Sequence, residues 1–173
     1  NRTLFSVRYG RISESEVTVN RFGVSGQFAA GANTGELTAG VMTCKECDPV
    51  LMIGGGLQVP VMRGEPYVAI RTTLGLGKGT GEGDGTALAG SISVPLSITN
   101  QSEGDIVFAP YLEPALGVGR ISGFGESERG VRPMIGGGLM LVSQRKRLAI
   151  HVGFQKVLIA LGRTTFGIGI GSR

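Results

Sequence analysis

The sequence predicts an all-β fold: a single up-and-down antiparallel transmembrane β-barrel of about ten strands. Three observations predict it. First, residues 87–99 alternate, with Leu88, Gly90, Ile92, Val94, Leu96 and Ile98 on one row and Ala87, Ala89, Ser91, Ser93, Pro95, Ser97 and Thr99 on the other. A period of two belongs to a strand. Its length, roughly 12 residues, exceeds a soluble strand of about 5–6 and suits a tilted membrane-crossing strand of about 9–11. Second, the polar row is made of Ser, Ala and Thr. A water-facing sheet surface usually carries Lys, Glu and Arg, whereas small residues fit a crowded lumen and leave the bulky row to lipid. Third, the strand-interior charges Arg8, Arg21, Arg71, Glu113 and Arg132 all fall on the small-residue row. A bilayer imposes that segregation, because a charge at mid-depth on the lipid face costs about 2–4 kcal/mol.

The totals agree. The chain has 173 residues, enough for one domain spanning 1–173. Charged residues make up 17%, below the roughly 25% of soluble domains. The 31 glycines follow no collagen period and are interrupted by apolar segments throughout. No apolar run approaches the about 18 residues of a membrane-spanning helix. The net charge of +4 is dispersed, without the Lys/Arg stripe and interleaved aromatics of a nucleic-acid binder.

Taken in order, the first strand covers residues 3–12, with Phe5, Val7 and Tyr9 opposing Ser6, Arg8 and Gly10. The second covers 17–30, with Phe22, Val24 and Phe28 opposing Arg21, Gly23, Ser25 and Gln27. Val17 and Val19 break its parity, which predicts a bulge near Asn20. Asn33-Thr34-Gly35 reads as a turn, and the third strand as 37–44. The fourth covers 50–62, with Leu51, Ile53, Leu57, Val59 and Val61 outward. The fifth covers 67–77, with Val68, Ile70, Leu74 and Leu76 opposing Ala69, Arg71, Thr73 and Gly75. Residues 78–85 form a Gly-rich loop before the sixth strand at 87–99.

The seventh strand covers 106–119, with Phe108, Leu112, Leu116 and Val118 opposing Ala109, Tyr111, Glu113 and Ala115. Residues 120–130 read as the longest loop. The eighth strand covers 131–142. The ninth covers 148–158, with Ile150, Val152 and Phe154 opposing Ala149, His151 and Gly153. The tenth covers 164–171, with Phe166, Ile168 and Ile170 opposing Gly167 and Gly169. Lys156 departs from the charge rule at a strand end, where it can snorkel. The longer loops alternate with shorter turns, which places both termini and the short turns on one side of a membrane.

Over essentially its whole length the chain resembles a small outer-membrane β-barrel protein of diderm bacteria. The resemblance is one of pattern, carried by the alternating strands and the charge segregation. It implies a bacterial outer-membrane location, membrane lipid or lipopolysaccharide and other envelope proteins as partners, and no nucleic acid. The chain departs from the pattern in ending on Gly171-Ser172-Arg173 instead of an aromatic residue, and in its thin aromatic girdles.

Several motifs have to be weighed. Cys44-Lys45-Glu46-Cys47 has CxxC spacing. A thioredoxin-type motif needs a βα setting, and a zinc site needs two further ligands. A disulfide across a hairpin loop in an oxidising compartment ranks first, ahead of free thiols and of metal or redox chemistry. The Gly-rich stretch at 77–85 leads into a strand instead of the helix a phosphate cradle requires, and it lacks the tandem copies of a calcium-turn repeat. Met52-Ile53-Gly54-Gly55-Gly56-Leu57 recurs as Met134-Ile135-Gly136-Gly137-Gly138-Leu139. Gly triplets let a strand bend or let another group approach closely. His151 is the only histidine, and its parity turns it into the lumen. A hydrogen-bonded lumen histidine is favoured over a general base.

The expected site is thus a lumen charge cluster of Arg8, Arg21, Arg71, Glu113, Arg132 and His151, with Glu113 meeting Arg71 over the short side chains of the sixth strand. No catalytic residue, metal ligand or cofactor is expected. The function expected is structural and interactive, in the cell envelope. The alternatives are a narrow anion-leaning pore lined by the arginines, and a soluble β-sandwich or shell protein whose oily rows meet in a core.

Overall fold

The computed structural model describes residues 4–14, 17–45, 47–81, 85–99, 105–123, 126–143, 145, 148–158 and 164–172. Along them run β1 (Leu4–Glu14), β2 (Val17–Ala30), β3 (Asn33–Cys44), β4 (Cys47–Met62), β5 (Tyr67–Gly79), β6 (Thr86–Ser93), β7 (Leu96–Ser97), β8 (Ile106–Gly123), β9 (Glu126–Ser143), β10 (Leu148–Val157) and β11 (Thr164–Ser172). The segments β6 and β7 are two pieces of one stave, since both lie between β5 and β8. The break falls at Val94-Pro95. Proline has no N–H to give a ladder, yet the Pro95 carbonyl accepts from the Ala69 amide at 3.1 Å and the Val94 amide donates to the Pro114 carbonyl at 3.0 Å. Counted this way there are ten staves, each antiparallel to the next. The last returns to the first, with Phe5 opposite Ser172 and Ser13 opposite Thr164. The sheet therefore closes and leaves no edge.

The distribution of side chains is inverted relative to a soluble protein. Phe5, Val7, Leu37, Ile53 and Phe166 are each more than 60% exposed and lie on outward rows. Among the described residues, the buried apolar side chains are Ala69, Val107 and Ala109, and the buried polar ones are Ser25, Glu36 and Ser93. The oily rows do not meet one another. This rules out the soluble sandwich, which would have joined them in a core. A closed barrel with a continuous apolar exterior is the transmembrane solution to the same alternation.

Several expectations need correction. β2 pairs with β1 in unbroken register from Leu4↔Gln27 to Glu14↔Val17, so there is no bulge at Asn20. Asn20 faces outward and accepts a hydrogen bond from the Tyr9 hydroxyl at 2.9 Å. The register shifts fall instead between Met42 and Cys44 and between Pro60 and Met62. The turn before β3 is Gly31-Ala32, not Asn33-Thr34-Gly35. Gly31 sits at φ 64°, the left-handed region that a tight hairpin turn needs and glycine occupies without cost. β3 accordingly starts at Asn33.

The stretch 120–130 is not a long loop. β8 runs on to Gly123 and β9 begins at Glu126, with Arg120 opposite Arg129. The connection between β7 and β8, residues 98–105, lies at the same end as the paired termini. Loop length therefore does not distinguish the two rims. They are called here the terminal rim, where Phe5 meets Ser172, and the far rim, where β5 ends at Gly79.

Candidate functional site

The inward rows bring charges from well-separated strands together in the lumen. Glu36 on β3 is the most enclosed, at 6% exposure. Its Oε1 lies 2.9 Å from Arg8 Nη2 of β1, and its Oε2 accepts a hydrogen bond from Arg71 Nη2 of β5. The Arg8 contact is an ion pair without hydrogen-bond alignment, so Oε1 has no hydrogen-bond partner. Arg71 Nη1 also lies 3.9 Å from Glu113 Oε1 on β8. The Ser93 hydroxyl of β6 donates to the same Glu113 oxygen at 2.6 Å. Two arginines and two carboxylates thus form one chain, Arg8–Glu36–Arg71–Glu113, whose charges sum to zero.

A second contact continues the belt. The Tyr111 hydroxyl of β8 and His151 Nε2 of β10 are 2.6 Å apart, and the rings stand 5.3 Å apart between centroids. His151 and Arg8 are both register partners of Gly169, which carries no side chain between them. Hydroxyl pairs flank the charges: Ser6 with Ser25 at 2.7 Å and Thr73 with Ser91 at 2.7 Å. The polar groups therefore lean on one another, and pairing of this kind is what compensates a charge taken out of water.

Of the expected residues, the structure brings Arg8, Arg71 and Glu113 into one ion-pair chain and sets His151 beside it through Tyr111. Arg21 on β2 faces inward opposite Gly10 and Met42, and Arg132 on β9 opposite Gly117. Neither is a member of that chain. Sequence reasoning missed Glu36, the carboxylate that holds two arginines. The signal was present: Leu37 is outward, so its neighbour is inward. Assigning Asn33-Thr34-Gly35 to a turn left Glu36 outside any strand. Cys44 and Cys47 are register partners at the far rim. The Cys47 side chain lies outside the described residues, and the bridge between the two is a proposal taken up in the Discussion. Among the described residues, no group of three His, Cys, Asp or Glu side chains is arranged to hold a metal ion.

No family model and no curated protein matches the chain. Solved structures do match in shape. The β domain of the Bordetella autotransporter BrkA aligns with a TM-score of 0.59 at 10% identity, covering 98% of each chain. The translocator domain of the autotransporter NalP from Neisseria meningitidis aligns with a TM-score of 0.54 at 12% identity, covering 99% of this chain and 86% of that one. At such identities the likeness is one of fold alone. Ten antiparallel staves, an apolar exterior and a charge-paired lumen make this chain a small β-barrel of the outer-membrane type.

Proposed function

We propose that this chain is a non-enzymatic structural and interaction component of the bacterial cell envelope, spanning the outer membrane with its lumen closed by its own side chains. The observation that carries the reading is the Arg8–Glu36–Arg71–Glu113 chain, which ties β1, β3, β5 and β8 together across the interior. An anion-leaning pore would need arginines facing open water. Arg8 and Arg71 instead both face Glu36. Side chains just fill the interior at about eight strands and an open aqueous channel comes at about 16–18, so a ten-stave barrel stands near the filled end. The Tyr111–His151 pair uses the histidine in a contact between walls, which favours a packing role for it over a general base. The rims and the outer wall are then the surfaces left for partners, which are membrane lipid or lipopolysaccharide and other envelope proteins.

Planar-bilayer recording tests the lumen. The wild-type barrel is expected to give no steady conductance, and Glu36→Ala to give fluctuating openings once both arginines lose their shared partner. A steady anion-selective conductance of the wild type would replace this reading with the pore. Extraction from membranes only by detergent tests the location, and recovery in the soluble fraction as a folded monomer would remove it.

A further inference from the structure

Among the strand residues whose side chains are described, the outward cations are confined to one end. Arg11 continues the outward row of Phe5, Val7 and Tyr9; Lys78 that of Leu74 and Leu76; Arg120 that of Leu116 and Val118; Lys156 that of Val152 and Phe154. All four stand towards the far rim. Among the described strand residues, the outward rows carry no Lys or Arg at the terminal rim. Lys78 and Arg120 read from sequence as loop residues; both are in strands.

Two of the four share a groove of about 600 Å³ on the outer wall. Leu51, Lys78, Thr86 and Ser122 are successive register partners across β4, β5, β6 and β8. One row nearer the membrane centre come Ile53, Leu76, Leu88 and Arg120. The Thr86 and Ser122 hydroxyls are 2.8 Å apart and keep further hydrogen-bonding capacity. Lys78 and the two hydroxyls therefore stand one row above Ile53, Leu76 and Leu88, and Arg120 stands beside those aliphatic side chains. The long stems of Lys78 and Arg120 can lie on that wall while their charged ends reach the interface.

We propose that Lys78 and Arg120, with the Thr86–Ser122 hydroxyl pair, bind the phosphate-monoester headgroup of a membrane lipid whose acyl chains lie on Leu51, Ile53, Leu76 and Leu88. The charge match selects the class. A phosphate monoester carries about −1.5 to −2 at pH 7, which suits two cations, and it offers several strong acceptors for guanidinium and hydroxyl donors. A zwitterionic headgroup has no net charge to offer. The apolar rows below distinguish an acylated phosphate from a free one. The proposal rests on the membrane-spanning reading and adds to it which lipid chemistry sits at the far rim.

The test is native mass spectrometry of the refolded protein, released from vesicles containing equal amounts of phosphatidic acid and phosphatidylcholine. Folding into pure phosphatidylcholine vesicles is measured first; failure there overturns the membrane reading and not the site. Given folding, the wild type is expected to retain phosphatidic acid over phosphatidylcholine by about tenfold, and the Lys78→Gln/Arg120→Gln double variant to fall to near parity. Arg145→Gln, at the terminal rim, is expected to leave the preference unchanged. Unchanged preference in the double variant, no preference in the wild type, or displacement of the lipid by inorganic phosphate alone would each overturn the site.

Discussion

Arg71 and Glu36 meet across a strand that belongs to neither. Arg71 is on β5 and Glu36 on β3; β4 runs between them and presents Gly56 opposite Glu36 and Gln58 opposite Arg71. A methyl group at Gly56 would stand 2.9 Å from the Thr72 carbonyl oxygen and 3.3 Å from Thr73 Cγ2. The inner face of β4 is therefore bare opposite Glu36 and has no room for a side chain there. Gln58 is held aside by donating to the Tyr67 hydroxyl at 2.9 Å. Neither inward position of β4 between the two charges thus places a side chain in the line of the pair.

Glu36 is predicted to be the costliest carboxylate to remove. Glu36→Gln leaves Arg8 and Arg71 facing each other with their shared counter-charge gone, and breaking a buried pair costs about 3–5 kcal/mol. Glu113→Gln should cost clearly less: Glu113 is 22% exposed, Arg71 approaches it only to 3.9 Å, and the Ser93 hydroxyl can still donate to an amide oxygen. Urea unfolding midpoints in lipid vesicles give the comparison. Equal losses at the two positions would mean that the Glu36 site is wet.

The two rows of one strand should differ in tolerance, and so should positions within the inner row. Ile92 is 50% exposed on the outer wall, where arginine at mid-depth costs about 2–4 kcal/mol. Leu112→Arg on β8 should behave like Ile92→Arg. Ala89 is on the inner row between Gly75 and Gly119, which leave room for a long side chain. Ser93 is also inward, but it is 3% exposed and bonded to Glu113, so Ser93→Arg should fail for want of space. The folded yield in vesicles is expected to be high for Ala89→Arg and low for the other three. A yield for Ile92→Arg matching that of Ala89→Arg would argue against a lipid-facing outer wall.

The strands, their facing and the closed barrel were legible because period two survives in nearly every segment and a membrane forbids charge on one of its rows. Residues 87–99 show this most plainly. What the sequence hid was local. The left-handed turn at Gly31 sits two residues before the Asn-Thr-Gly run that draws the eye, so Glu36 dropped out of the lumen. Residues 120–130 look like a loop because charged and Gly residues crowd there, yet at a rim they can continue a strand into the interface, as Arg120 does. The Arg71–Glu113 approach could be argued from β6 alone, because only short serines separate the two. The Arg71–Glu36 contact could not, since it needs the register of β3 on β4.

The Cys44–Cys47 pair is predicted to be bridged. The two are register partners at the mouth of a hairpin, and Cys44 has a partner. Register partners across an antiparallel pair have Cβ atoms about 4.5–5.5 Å apart, a small adjustment from the roughly 3.8 Å that a disulfide needs. The ring would enclose few residues, so reduction should change stability little. Thiol labelling of the oxidised protein should give no modification until reductant is added, with the unfolding midpoint then almost unchanged. Full labelling without reductant would discard the bridge.

The second Gly triplet carries a sharper prediction. Gly138 on β9 is the register partner of Tyr111 on β8 and of Gly153 on β10. The Tyr111 side chain passes over β9 to reach His151, and a methyl group at Gly138 would collide first with the Val152 carbonyl oxygen and then stand 2.7 Å from Gly153 Cα and 2.9 Å from Tyr111 Cε1. Two of these neighbours are backbone atoms and the third is a ring held by its hydrogen bond, so none is the loose end of a flexible chain. Gly138→Ala should therefore cost an overpacking penalty of about 1–3 kcal/mol and, by displacing the ring, about 1 kcal/mol more for the Tyr111–His151 hydrogen bond. Tyr111→Phe loses the hydrogen bond and keeps the ring, so it should cost only the second amount. Gly137 faces outward; a methyl group there would meet the Tyr111 carbonyl oxygen at 3.2 Å and the Phe154 ring at 3.4 Å. Gly137→Ala should be the mildest of the three, since that ring can swing outward. Unfolding midpoints in vesicles should fall in the order Gly138→Ala, Tyr111→Phe, Gly137→Ala, largest loss first. A loss for Gly137→Ala as large as that for Gly138→Ala would place the requirement in the bending of the β9 backbone, and not in the close approach of β10 and Tyr111 to the inner face of Gly138.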